Sequence, residues 1–159
     1  MSKKNRRNPK KENALKSFET QNSLNNNISK YCCFNFKYFR STDNGQSFEE
    51  WQEKKILADL MNKLKEFSQL SVEELKQNKR LIIYGQFPTS KCTDFKHPSD
   101  LPKNGIKWSR FRITGEKRLI GFFVSKEAEI VDCKNIANTF YVVFLDEEHK
   151  FYKSNKKHT

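Results

Sequence analysis

The chain has 159 residues and a formal net charge of +12, with 31 lysines and arginines against 19 acids. This length fits one domain with a hydrophobic core and is short for two. No apolar run approaches the roughly 20 residues of a membrane-spanning helix, and the N-terminus lacks a signal-peptide core, so we predict a cytoplasmic protein without membrane attachment. The positive charge indicates an acidic partner, most often a nucleic acid, although lysines scattered without such a role are the alternative.

The first segment, residues 1–30, carries eight lysines and arginines, two acids and few apolar residues. Such a composition buries too little surface to offset the entropy of ordering, so we predict a disordered basic arm. This arm either strengthens binding to phosphate backbones or only keeps the protein in solution. Residues 31–152 are predicted to form a single α+β domain, and residues 153–159 a basic C-terminal tail.

Strand and helix signals follow the arm. Residues 31–39 have two-residue alternation with one apolar face, which predicts the first strand. Ser47 and Ser71 are each followed three residues later by a glutamate, the form of a capping box that starts a helix. Apolar residues at three- and four-residue steps predict one long helix over residues 48–68, and the second box predicts a short helix ending near Gln77.

Three later stretches have strand character: residues 81–87, a hairpin over 107–124, and residues 139–146. The last is apolar on both faces, as in a central strand covered on both sides. Residues 88–105 contain three prolines and no period, which predicts a long loop, either a lid or a packed segment. The predicted fold class is therefore α+β, with an antiparallel sheet of about five strands packed against one long and one short helix, in the order β-α-α-β-β-β-β.

The hairpin KWSRFRITGEKRLIGFFV gives the clearest pairing signal, because two runs rich in aromatic and β-branched residues flank a Gly-Glu pair. A glycine-first pair fits a two-residue type II′ turn. The register that follows sets Thr114 opposite Lys117, Arg112 opposite Leu119, and Arg110 opposite Gly121.

Alternation along the two hairpin strands divides their side chains between two faces. We expect the apolar face to pack against the long helix and the cationic face to lie bare and bind an anionic partner. A solvated face paired with Glu127 and Glu129 is the alternative. The apolar face holds Ser109, Phe111, Ile113, Ile120, Phe122 and Val124 with Arg118 at its edge, and the cationic face holds Trp108, Arg110, Arg112, Thr114, Lys117, Leu119, Gly121 and Phe123.

The sequence predicts neither a metal nor a cofactor. It has no Walker loop, GxGxxG, HExxH or Gly-x-Ser-x-Gly motif, so it carries none of these signatures of common enzyme classes. The cysteines show no C-x-x-C pair and no histidines at zinc-ligand spacing, which favours free thiols. These cysteines are Cys32, Cys33, Cys92 and Cys133.

The order of elements, together with RFRITGEKRLIGFFV followed by NTFYVVFLDEEHKFY, resembles the RelE/YoeB superfamily of bacterial ribonuclease toxins. Arg112, Arg118, His149 and Tyr152 carry the resemblance. Two residues separate the histidine from the tyrosine, whereas YoeB-type members place them side by side.

This resemblance implies metal-free RNA cleavage by the 2′-hydroxyl, with RNA or the ribosome as partner and a protein inhibitor that holds the toxin inactive. The implied catalytic residues are His149 as base or acid, Tyr152 as proton donor, and Arg112 and Arg118 on the phosphate. Residues expected to bind nucleic acid are Lys107, Trp108, Arg110, Lys117 and Lys150.

Less specific interpretations remain open. His149 is alternatively an exposed turn residue, Tyr152 a residue that closes the core, and Trp108 core filler. The protein as a whole is alternatively a non-catalytic RNA- or DNA-binding module, or a protein-interaction adaptor of an accessory or phage-defence system.

Overall fold

The computed structural model describes residues 8–125 and 137–153, so Cys133, Glu127, Glu129 and the tail from residue 154 lie outside the described residues. The described residues form four helices and five strands. The helices are α1 (Pro9–Lys30), α2 (Phe48–Glu53), α3 (Leu57–Phe67) and α4 (Val72–Gln77), and the strands are β1 (Cys33–Asn35), β2 (Leu81–Gly85), β3 (Ile106–Thr114), β4 (Lys117–Val124) and β5 (Thr139–Asp146).

Helix α1 occupies most of the segment for which the sequence predicts disorder. The Asn8 side chain caps it by accepting a hydrogen bond from the Lys10 backbone N–H at 3.2 Å, and Pro9 stands at the first helical position, where proline costs no hydrogen bond. Leu15 and Phe18 are 54% and 65% exposed, so these apolar side chains of the helix are not buried. The structure thus gives a helix over residues 9–30, within the segment predicted to be a disordered arm.

The predicted long helix is two helices. Its start is as predicted, because Ser47 caps α2 through a complete capping box, but α2 ends at Glu53. Lys55 has φ of +60°, a left-handed conformation that stops the helix, and buried Ile56 then precedes α3. The six-residue step from Trp51 to the next predicted apolar position is the sequence signal of this break. The second capping box, at Ser71, begins α4 as expected.

The five strands form one mixed sheet with the order β1-β5-β4-β3-β2. The neighbouring pairs are antiparallel except for one, since β1 runs parallel to β5 with Phe34 opposite Phe140. The prediction of a wholly antiparallel sheet is therefore corrected at this edge. Strand β5 is buried along its whole length, in agreement with its apolar character on both faces.

The hairpin is present, with Gly115 at φ of +51°, as the first central residue of a II′ turn requires. Its register differs from the prediction by one residue. Thr114 lies opposite Lys117 as expected, but Arg112 lies opposite Arg118 and Phe111 opposite Leu119, because Ile113 is an extra residue that forms a β-bulge. Because of the bulge, the side chains of β4 after Lys117 lie on the face opposite to the predicted one.

Both faces of the sheet are covered. The face toward the helices, hereafter the helix face, packs against α2, α3 and α4, which contribute residues such as Trp51 and Leu60. On the opposite face, hereafter the loop face, the long loop of residues 86–105 and Phe151 cover Trp108. The expectation of a bare cationic face is therefore corrected, because only its end near the hairpin turn lies outside this cover. The helix face holds Phe111, Ile113, Leu119, Phe123 and Val142, and the loop face holds Ile106, Trp108, Ile120, Phe122 and Phe144.

Candidate nucleic-acid interface

Three arginines lie together on the loop face near the hairpin turn, and we call Arg110, Arg112 and Arg118 the arginine cluster. Register places Arg112 directly opposite Arg118, and Arg110 two residues back along β3 on the same face. Arg112 is exposed, Arg110 is half-buried, and Arg118 is only 8% exposed. The bulge in β3 brings Arg118 into this cluster, because without it the side chain would point to the helix face.

Arg118 is held by the hairpin turn. Its Nη1 donates to the backbone oxygens of Gly115 at 2.7 Å and Lys117 at 3.0 Å. Burial lowers the pKa of the Arg118 guanidinium, and the neighbouring charges of Arg110 and Arg112 lower this pKa further. The Arg118 Nε is buried and has no hydrogen-bond partner among the described residues.

Tyr84, at the end of β2, belongs to the same site and was not predicted from the sequence. Arg110 Nε donates to the Tyr84 phenol oxygen at 2.7 Å, which fixes the guanidinium. The Tyr84 ring stacks on Tyr152, with centroids 4.7 Å apart and planes within 9°. Burial raises the pKa of Tyr84, against the opposing effect of Arg110, so the phenol stays protonated.

His149 lies in the turn after β5, with φ of +56°. Buried Asp146 holds this turn, because its two carboxylate oxygens accept hydrogen bonds from the backbone N–H groups of Lys150 and Phe151, both at 2.9 Å. His149 is half-buried, and no hydrogen-bond partner for its buried Nε2 occurs in residues 8–125 and 137–153. Burial lowers the pKa of His149, followed by the charges of Arg118 and Arg110.

We expect His149 to titrate below about 6.5, the ordinary value for histidine, in the folded protein. The relevant pH window runs from the ordinary pKa of an unfolded-chain histidine down to the lower pKa of His149 in the folded protein. As the pH falls through this window, the unfolded chain takes up the proton first. The stability that neutral His149 contributes is therefore present above the window and lost within it. NMR titration, with the signal assigned by comparison with His149→Gln, measures the pKa. Urea unfolding across the window should show a smaller loss of stability in the variant, and a folded-state pKa at or above 6.5 without added anions would contradict the expectation.

Two of the four predicted catalytic residues, His149 and Tyr152, are linked to Arg110. The charges of Arg118 and Arg110 lower the pKa of His149, and Tyr152 stacks on Tyr84, which accepts a hydrogen bond from Arg110 Nε. Tyr152 is 39% exposed and does not close the core. His149 and Tyr152 both lie in the segment that follows β5.

Of the other residues predicted to bind nucleic acid, Trp108, Lys107 and Lys150 lie away from the cluster and Lys117 lies beside it. Trp108 is 1% exposed beneath Phe87 and Phe151, so its predicted outward position is corrected to a core position. Lys107 is exposed but pairs with Phe123, which belongs to the helix face. The Lys150 amine pairs with Glu148 beside a separate hollow, whereas half-buried Lys117 remains at the hairpin turn next to the cluster.

Sequence analysis missed Tyr84 and Asp146 for different reasons. Asp146 was read only as the end of a strand, although its role is local, because it accepts hydrogen bonds from backbone groups four and five residues later. The role of Tyr84 depends on which residue lies opposite. The pairing of Ile82 with Arg110, together with a register shift after Ile83, puts Tyr84 beside the guanidinium. A correct register for β2 against β3 would have been the signal for Tyr84.

Comparison with protein-family models, with curated proteins and with solved structures found no match to this chain. The structure defines the class as an α+β protein with a five-stranded mixed sheet. In the described part of the chain no helix is long and apolar enough to cross a membrane. No group of three or more His, Cys, Asp or Glu side chains within it is arranged to hold a metal ion.

Proposed function

We propose that this protein binds single-stranded RNA at the arginine cluster and cleaves it through attack of a 2′-hydroxyl on the adjacent phosphate. One observation carries the proposal: the Arg118 Nε and the His149 Nε2 are both buried without a partner among the described residues, and the charge of Arg118 acts on His149. The Arg118 Nε–H is a buried unpaired donor, which costs about 1–3 kcal/mol and which a phosphate oxygen would satisfy. The Nε2 of neutral His149 is free to accept a proton.

The side chains supply the three parts that this cleavage requires: a base, positive charge and an acid. His149, kept neutral by its lowered pKa, takes the proton of the 2′-hydroxyl, whose oxygen then attacks the phosphorus. Arg112 and Arg118 stabilise the charge on the pentavalent phosphate. Tyr152 gives its proton to the departing 5′-oxygen, and the proton held by His149 returns to the tyrosinate through solvent. The products are a 2′,3′-cyclic phosphate and a 5′-hydroxyl.

The resemblance to RelE/YoeB toxins supports the same proposal. Three observations link the matching positions: Arg112 lies opposite Arg118, the charge of Arg118 lowers the pKa of His149, and Tyr152 stacks on Tyr84, the hydrogen-bond partner of Arg110. A ribosome-bound RNA as substrate and an inhibitor protein that covers the cluster belong to the proposal as partners. The surplus positive charge of the chain favours both an RNA and an acidic inhibitor.

Replacing His149 with glutamine is expected to lower the rate of RNA cleavage by about 100-fold or more, because a positioned acid or base contributes about 10²- to 10⁴-fold. The assay follows a short labelled single-stranded RNA in the presence of EDTA, and cyclic-phosphate ends identify the mechanism. Lys150→Gln is the matched control, since Lys150 adjoins His149 in the same turn but pairs with Glu148.

The proposal fails if the unaltered protein leaves RNA intact, or if the His149 and Lys150 variants cleave equally well. Binding without cleavage would instead identify the second candidate, a non-catalytic nucleic-acid-binding module. The stack of Tyr84 on half-exposed Tyr152 favours that candidate, because an aromatic surface beside an arginine is also a base-stacking platform.

A further inference from the structure

Arginines form a row across three neighbouring segments of the sheet. Arg112 lies opposite Arg118 of β4, and on its other side the Arg112 backbone N–H donates to the Arg80 carbonyl oxygen at 2.9 Å. This bond continues the pairing of Leu81 with Phe111 by one residue, so Arg80 lies opposite Arg112. With strands about 4.8 Å apart, the row extends roughly 10 Å from Arg118 to Arg80.

Such a row is unfavourable in the isolated protein, because like charges directly opposite each other on neighbouring strands repel. Among the described residues, Asp146 lies opposite Arg118 on β5, Glu66 lies 3.7 Å from Arg80, and Asp59 lines a hollow together with Arg80 and Arg112. Within the two described ranges no carboxylate forms an ion pair with Arg112 in the middle. A bound polyanion would relieve this repulsion along the whole row.

The far end of the row opens into a hollow of about 390 Å³ between α3 and the hairpin turn. Its lining includes the cations Lys63, Arg80 and Arg112 and one carboxylate, Asp59. Lys63 and Arg80 both contact Glu66, which does not line the hollow, at 2.6 Å and 3.7 Å. The lining is therefore net positive, and its lysine and arginine donors suit phosphate oxygens.

We propose that this hollow is a second phosphate subsite, which takes a neighbouring phosphate of the same single-stranded nucleic acid that the arginine cluster binds. The inference rests on the proposed binding of single-stranded nucleic acid and adds the direction in which the nucleic acid crosses the sheet. The bound nucleic acid runs across the sheet, from His149 over Arg118 and Arg112 to Arg80 and Lys63. The hollow extends the contact beyond the edge strand β2 onto helix α3.

Lys63→Gln is expected to weaken binding of a short single-stranded DNA oligonucleotide severalfold. It should also reduce the slope of log affinity against log salt by about 0.7, the value for one phosphate contact. Lys76→Gln is the matched control: both lysines form an exposed (i, i+3) pair with a glutamate, Lys63 with Glu66 and Lys76 with Glu73, and both variants remove one charge. Asp59→Asn, which removes the carboxylate of the hollow, should tighten binding. Fluorescence anisotropy over a series of salt concentrations measures these effects, and thermal melting verifies that the variants are folded.

Equal losses in the Lys63 and Lys76 variants would overturn the subsite, because they would report only a change in net charge. Unchanged binding by Lys63→Gln, or no binding by the unaltered protein, would also overturn it. DNA lacks the 2′-hydroxyl and cannot be cleaved by the proposed reaction, so this result is independent of catalysis. A loss specific to Lys63→Gln together with intact RNA in the cleavage assay would retain the subsite and remove the nuclease.

Discussion

Replacing Gly121 with alanine is expected to lower the free energy of unfolding by about 3 kcal/mol or more, since overpacking a core costs about 1–3 kcal/mol and occasionally more. Gly121 lies in β4 against β5, and a Cβ there would be 2.0 Å from the Tyr141 carbonyl oxygen and 2.7 Å from the Phe140 ring. A backbone carbonyl in a central pair of strands and a buried ring cannot both move aside. Urea unfolding followed by circular dichroism measures the loss.

Gly115→Ala separates this steric cost from the loss of glycine as such. A Cβ at Gly115 would meet nothing within 4 Å, although its φ of +51° strains any other residue. The expected loss is about 1 kcal/mol, the cost of a left-handed conformation. Losses of equal size in the two variants would show that Gly121 is not held by close packing.

Replacing Asp146 with alanine is expected to lower the free energy of unfolding by about 3 kcal/mol and to abolish RNA cleavage. The change leaves the backbone N–H groups of Lys150 and Phe151 without acceptors, and a buried unpaired donor costs about 1–3 kcal/mol. It also releases the turn that positions His149. Denaturant unfolding and the cleavage assay test the two effects separately.

Glu148→Ala is the control for Asp146, because this exposed carboxylate lies in the same turn and forms only a surface pair with Lys150. Its expected cost is below about 1 kcal/mol. Asp146→Asn keeps one carbonyl acceptor and should lose less than the alanine variant. If Asp146→Ala and Glu148→Ala unfold at the same denaturant concentration, the carboxylate does not hold the turn.

Local signals in the sequence identified those elements that depend on neighbouring residues alone. The capping boxes at Ser47 and Ser71 predict two helix starts, and the turn at Gly115 predicts the hairpin. Residues 139–146 are apolar throughout, which predicts a strand covered on both sides. This signal lies within the segment and does not depend on knowing which strands pair with it. For the same reason residues 88–105 are read correctly as a loop that has no helix or strand.

The features that sequence reasoning missed depend on contacts between distant segments. Neither the parallel pairing of β1 with β5 nor the cover over Trp108 has a local signature. In the candidate site, Arg110 and Arg112 are placed together as predicted because they alternate along one strand. Arg118 and Tyr84 join them only once the register of three strands is known.

The single extra residue in β3 has a consequence for how such a site can arise. A substitution changes one side chain, whereas an insertion at Ile113 exchanges the two faces of the entire following strand. Arg118, Ile120 and Phe122 therefore change sides together, and the apolar residues find a core on either side because both sides are packed. A sheet that is packed on both faces can therefore tolerate this inversion. A single inserted residue can thus move a buried arginine to the opposite face while both hydrophobic clusters remain.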